Sequence, residues 1–252
     1  TGEYFGVEKT IEKEFEVFRG QGTSSSYGAG AGGSAHVGPF SVASQETIPV
    51  GIAFSKSGMK MFIVGTDGDD VNEYTLTCAY CIGTASFVDS FDITSSNAIA
   101  TVHGPADIAF SKSGMKMFIV DTGTHNDVHE YTLTAAWDVS TASFVVSFSV
   151  QSQTGSPAGI AFSKSGEKMF VVENGGSSHH DWVLEYTLAT AWDVSSASFV
   201  DYLDISSQEE TPTGIWFDPS GKTMFILGNG GDDVNVYKLT IAWDVSTASF
   251  VS

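Results

Sequence analysis

One stretch of this sequence occurs four times. Gly51-Ile52-Ala53-Phe54-Ser55-Lys56-Ser57-Gly58 returns almost unchanged over Asp107–Gly114 and Gly159–Gly166, and more diverged over Gly214–Gly221. The anchor isoleucines, Ile52, Ile108, Ile160 and Ile215, stand 56, 52 and 55 residues apart. A repeat of this size makes one small sheet that cannot bury both of its faces alone. Copies packed side by side about a common axis can, which is the propeller solution. The rungs of a β-helix are much shorter, and a sandwich has no need of a copied unit.

Each repeat holds four strand-like runs separated by turn residues. In the third they are Gly159–Phe162, Lys168–Val172, Val183–Leu188 and Ser198–Ile205. Period-2 alternation puts Phe199, Leu203 and Ile205 on one face of the last run, and Phe144, Val146, Phe148 and Val150 on one face of its counterpart. Between the third and fourth runs stand Trp137-Asp138, Trp192-Asp193 and Trp243-Asp244, with Tyr80-Cys81 in the first repeat. The aspartate suits a turn in which it accepts backbone N–H bonds. The expected fold is therefore an all-β propeller, with four blades of four antiparallel strands.

The blades divide at about 47–104, 105–156, 157–211 and 212–252. The last repeat stops at Ser249-Phe250-Val251-Ser252, partway through its fourth strand. Phe40-Ser41-Val42-Ala43-Ser44-Gln45 matches Phe148-Ser149-Val150-Gln151-Ser152-Gln153, the second half of such a strand. Residues 38–46 are thus expected to complete the last blade and remove its exposed edge, with Phe40, Val42 and Phe250 as the closing contacts. The same pattern also fits strand addition to a neighbouring molecule, or a piece of a longer array. Residues 1–37 lie outside the repeat. Residues 3–19 suit a helix or a strand, and the run 21–34 has the Gly/Ser composition of a linker.

Acidic residues number 30 against 11 basic ones, a net charge of −19. That repels nucleic acid and anionic membrane, which need clustered cations. No run reaches the roughly 18 apolar residues of a membrane span. Such a chain suits an extracellular, cell-surface or virion setting. The two cysteines, Cys78 and Cys81, build no disulfide framework, and read as a local disulfide or two buried thiols.

The loops between the second and third runs are rich in carboxylates: Asp67, Asp69 and Asp70; Asp121 and Asp127; Asp232 and Asp233. Calcium is the one cofactor they suggest, since it takes oxygens from loops of this kind. Hairpin turns ask for the same residues. His125, Asp127 and His129 alternate, so an extended chain puts them on one face, and His179, His180 and Trp182 crowd another loop. These are candidate contacts to a glycan or protein partner, or simply solvated loop residues. The innermost strand, taken as the first run, offers only Asp107 as an acid. No nucleophile elbow or zinc signature occurs, so no catalytic residue is assigned.

Phe54-Ser-Lys-Ser-Gly-Met-Lys-Met-Phe-Ile-Val64 followed by Asp70-Val-Asn-Glu-Tyr-Thr-Leu76 resembles the propeller-repeat group to which NHL and YVTN repeats belong. The added Ala-Trp-Asp-Val-Ser-Thr-Ala-Ser is similar to a variant in surface and phage structural proteins of aquatic microbes. The resemblance implies a propeller over about 215 residues, and it implies function only weakly. The expectation is a non-enzymatic structural or binding module, such as a filament subunit, adhesin or virion fibre. It would present repeated loops to a glycan or protein, or self-associate. The alternative is a metal-dependent lactonase or hydrolase propeller.

Overall fold

The structure, a computed structural model, describes residues 39–94, 104–123, 125–175 and 180–252. It is an all-β propeller of four blades, each a sheet of four antiparallel strands in chain order. Blade 1 holds β1 (Pro49–Phe54), β2 (Lys60–Gly65), β3 (Asp70–Thr75) and β4 (Ser86–Asp92). Blade 2 holds β5 (Pro105–Phe110), β6 (Lys116–Asp121), β7 (Asp127–Leu133) and β8 (Ala142–Ser149). Blade 3 holds β9 (Pro157–Phe162), β10 (Lys168–Glu173), β11 (Trp182–Leu188) and β12 (Ala197–Asp204). Blade 4 holds β13 (Pro212–Phe217), β14 (Thr223–Gly228), β15 (Val234–Leu239) and the short β16 (Ala248–Phe250). The first strand of each blade is innermost: β1 packs on β5, β5 on β9 and β9 on β13.

The second strands are apolar on both faces, and in blades 2 and 3 each lies between two neighbouring blades. Phe62 and Val64 of blade 1 meet Ile108, Met117 and Ile119 of blade 2. Phe118 and Val120 repeat this against blade 3, and Phe170 and Val172 against blade 4. Backbones approach closely at the axis: a Cβ on Gly51 would lie 2.9 Å from the Asp107 Cα, and one on Gly159 3.0 Å from the Gly214 Cα.

A polar latch accompanies this packing. Lys60 donates to Glu73 (2.6 Å) and to the Trp137 carbonyl of the next blade (2.7 Å), while Glu73 accepts the Val139 N–H (3.0 Å). Lys116 and Glu130 hold Trp192 and Val194 in the same way, and Lys168 and Glu185 hold Trp243 and Val245. The Trp-Asp-Val turn is therefore the receiver of the preceding blade's ion pair. Its aspartates also behave as the turn chemistry requires, Asp193 and Asp244 accepting the N–H groups of Ser195 and Ser246.

Two expectations change. The stripes on the fourth strands do not stay on one face. Between Glu130 and Tyr131, β7 pairs with Val146 and then with Phe144, leaving Val145 as a bulge. Phe144 therefore turns toward blade 1, while Val146 and Phe148 face blade 3. The same bulge leaves Val200 over and separates Phe199 from Leu203 and Ile205. The second change concerns closure. Residues 39–46 form no strand and lie on blade 1, with Phe40 edge-on to Tyr74 at 5.5 Å and Val42 beside Met61, Ile63 and Leu76. Phe250 stays on its own blade, against Tyr237. The described residues make no closing contact between the N-terminal segment and blade 4.

Candidate functional site

The four inner strands begin around a funnel of about 530 Å³ at one end of the propeller axis. All four blades line it, with Thr66, Thr122, Asn174 and Asn229 among the lining residues. Each of these directly follows the second strand of its blade. Each backbone N–H donates to the loop that enters the inner strand: Thr66 to Ile48, Thr122 to Gly104, Asn174 to Ser156 and Asn229 to Thr211. Repetition thus delivers four hydroxyl or amide side chains to equivalent places. The remaining lining is proline, glycine, alanine, valine, serine and threonine, with no charged side chain.

Immediately before each member of this ring lies one buried carboxylate, supplied from two different sources. In blades 2 and 3 it belongs to the strand end, as Asp121 and Glu173. In blades 1 and 4 the strand ends in Gly65 and Gly228, and a loop acid occupies the space. A Cβ on Gly65 would meet the Glu46 carboxyl carbon at 2.1 Å, and one on Gly228 the Glu209 carboxyl carbon at 2.0 Å. Glu46 Oε1 accepts the Ile48 and Asp67 N–H groups, and Glu209 Oε1 those of Thr211 and Gly230. The Oε2 of each is buried without a hydrogen-bond partner. Burial, with the charges of Glu209 and Asp204 adding to it, pushes the Tyr237 hydroxyl up to about 12. Of this arrangement the sequence reading named only Asp121, as a candidate calcium ligand. It missed the ring, whose members stand at a fixed place after each Lys-Met-Phe-like run, and the loop acids Glu46 and Glu209, which carry no such positional signal.

The acidic candidates serve the loops. Asp67 accepts from the Thr47 hydroxyl (2.6 Å), Asp70 from the Asn72 amide and Asp233 from the Asn235 amide. Asp69 and Asp232 hold positive-φ turn positions. Asp121 accepts the Asp127 N–H (2.9 Å) and meets His129 Nε2 at 3.1 Å. Desolvation raises the Asp70 carboxyl, against the lowering effect of Asn72. Among the described residues, no three His, Cys, Asp or Glu side chains converge where a metal ion could sit.

The histidines do not gather as the alternation suggested. Asp127 and His129 are buried on β7, whereas His125 is exposed before the positive-φ Asn126 that turns the chain into the strand. His180, Trp182 and Tyr202 form a continuous stack, with centroids 4.1 Å and 4.2 Å apart. His179 lies outside the described residues. Cys78 and Cys81 are joined as a disulfide.

No family model and no curated protein sequence matches the chain. Solved propeller-like structures do. A candidate 6-phosphogluconolactonase from Bacteroides uniformis shares 15% identity at a TM-score of 0.53, covering 81% of this chain and 52% of that one. Another from Bacteroides fragilis matches with 11% identity, the same TM-score and the same coverage. A chain of a nidogen/laminin complex matches with 12% identity and a TM-score of 0.50, over 75% of this chain and 59% of that one. The chain thus spans just over half the length of these neighbours. At such identities the likeness shows the fold alone. It nevertheless corrects the expectation of a non-enzymatic chain. Candidate lactonases share this fold, so quiet inner strands are no ground for setting catalysis aside.

Proposed function

We propose that this chain is a propeller of the sugar-lactone-processing kind, taking a hydroxyl-rich lactone or its open acid into the axial funnel. The observation that carries the reading is the ring of Thr66, Thr122, Asn174 and Asn229 around an uncharged funnel. Neutral donors and acceptors arranged about an axis match a compact polyol better than a charged peptide or nucleic acid. The volume also falls within the range of small-molecule sites. The names of the Bacteroides neighbours also point to a sugar lactone, there a phosphorylated one.

Opening a lactone requires water to add to the carbonyl carbon. The ring C–O bond then breaks, and the departing oxygen takes the proton that the water gives up. A carboxylate is the natural carrier of that proton. No acid lines the funnel itself, so we assign the role to Glu46 and Glu209, buried behind its wall next to Gly65 and Gly228 with one unpartnered oxygen each.

Calorimetric titration with a sugar δ-lactone and its acid, together with a pH-indicator assay of lactone opening, tests the reading. Binding of both ligands and turnover above the spontaneous rate are expected. Asn174→Ala with Asn229→Ala should weaken binding at least about tenfold, or ~1.4 kcal/mol. Glu209→Gln should lower turnover while leaving binding in place. Absence of both binding and turnover at millimolar ligand would overturn it.

A further inference from the structure

Three of the four blade junctions are packed alike, and the fourth is open. β13 does not pack on β1 as the other inner strands pack on their successors. A Cβ on Gly214 would meet nothing beyond Leu227 of its own blade. On the free face of blade 4, Leu227 is 44% and Val234 40% exposed, whereas their counterparts Val64, Val120, Val172, Val71, Val128 and Val183 are all fully covered. On the free face of blade 1, Ile52 is 45% exposed, against 4% for Ile108 and Ile160. Blade 4 also carries Trp216, 39% exposed, where the other inner strands have Ala53, Ala109 and Ala161.

The residues at these two ends have changed together. Blade 4 has Thr223 and Val236 where the latch residues Lys and Glu stand elsewhere. Blade 1 has Tyr80-Cys81-Ile82 where the receiving Trp-Asp-Val stands. The Lys–Glu pair of the latch is thus missing from its usual places in blade 4, and the side chains around its receiving backbone groups are changed in blade 1. The lysine is kept at the same height by a swap across a strand pair. Lys60, Lys116 and Lys168 face Thr75, Thr132 and Thr187, whereas Thr223 faces Lys238. Lys238 is exposed and donates to the Thr223 hydroxyl at 2.8 Å.

The segment on blade 1 occupies the place of a preceding blade. Phe91 meets Tyr131 edge-on at 5.5 Å and Phe148 meets Tyr186 at 5.7 Å, each an outer-strand residue reaching the following blade. Phe40 meets Tyr74 with the same geometry at 5.5 Å. Val42 accepts from Gln45 and Glu46 in the turn that Val150 and Ile205 make on blades 3 and 4. On blade 4, β16 pairs with Tyr237–Leu239, and Val251 and Ser252 carry the pairing on to Val236, leaving the stretch at Val234 open. In blades 1 and 2 that stretch pairs with Phe91 and Phe148, and Phe40 is the sequence match to Phe148.

We infer that the open junction is filled by a second copy of this chain. Blade 4 of one copy packs on blade 1 of the other, and Phe40–Val42 of the second copy continues the outer strand of the first. Two such junctions close one ring of two chains. This is a head-to-tail contact that closes, the condition for a finite assembly.

Sedimentation velocity and light scattering on the 252-residue protein, from about 1 to about 100 µM, provide the test. The expected mass is twice the 26.7 kDa of one chain. Leu227→Glu and Ile52→Glu, both at exposed positions, should each give a monomer with an unchanged circular dichroism spectrum. Mixing the two variants should restore pairing through the one junction that neither has damaged. A monomer at every concentration overturns the inference. So does a pair indifferent to both substitutions, or a mass that keeps growing with concentration.

Discussion

Gly166 shows how much a single position carries in this repeat. Its φ is +78°, and a Cβ there would lie 2.2 Å from the Trp192 ring, while its carbonyl accepts the Trp192 N–H. Trp192 is itself at φ +63°, so the two turns lock one another in left-handed conformations. Gly166→Ala should cost about 2–4 kcal/mol, from backbone strain and ring displacement together. Gly155→Ala, with nothing within 4 Å, should stay within about 0.5 kcal/mol of the parent in a denaturant melt.

Asp107 gives a second test at this scale. Burial raises its carboxyl to about 7, although the N–H groups of Ile160 and Ile108 pull it down. The unfolded value is about 3.9. Between about pH 4 and pH 7 the unfolded chain therefore loses this proton first, and stability falls as pH rises. Asp107→Asn should remove that part of the fall and melt above the parent at pH 8, with the difference shrinking toward pH 4. Melting temperatures at the two ends of the range check the sign.

At the scale of the blade, the buried glutamate of the latch matters more than its lysine. Glu130 is 2% exposed and satisfies both Lys116 and the Val194 N–H, whereas Lys116 is 30% exposed. Glu130→Ala strands the buried Val194 N–H and takes from Lys116 its counter-ion, leaving it the Trp192 carbonyl, and should cost about 2–4 kcal/mol. Adding Lys116→Met should recover part of that loss, because no unpaired ammonium is then left behind. Thermal melts of the parent, single and double variants measure the difference.

This latch also marks where sequence reading stopped. The strand spans of blade 3 were legible to within one or two residues, because alternation and turn residues are local signals. The Lys–Glu–Trp–Val arrangement joins residues more than sixty positions apart, and only the propeller geometry makes them neighbours. The bulges at Val145 and Val200 were hidden for a related reason. Period-2 counting assumes an unbroken ladder, and an extra residue transfers the rest of the strand to the other face. The funnel ring lay in plain view by position. It was passed over because threonine and asparagine after a strand also read as ordinary turn residues.

For the whole molecule, charge is the dominant unbalanced quantity. A net charge of −19 follows from 30 acidic residues against 11 basic ones, and at Asp70 the neighbouring charges of Glu46, Asp92 and Asp69 add to the desolvation that raises its carboxyl. Self-repulsion of this kind opposes compactness and is relieved by screening, since the Debye length shrinks from about 30 Å at 10 mM salt to about 8 Å at 150 mM. The melting temperature should therefore rise over that interval, by roughly 2–4 °C if screening returns ~1 kcal/mol. The same series separates screening from ion binding. The carboxylates of Asp67, Asp70 and Asp233 are each engaged by a neighbouring hydroxyl or amide, and no three acids converge among the described residues. Calcium and magnesium chloride at equal ionic strength should then stabilise equally. A calcium-specific increment that vanishes in Asp70→Asn would instead assign a calcium site to the first of these loops.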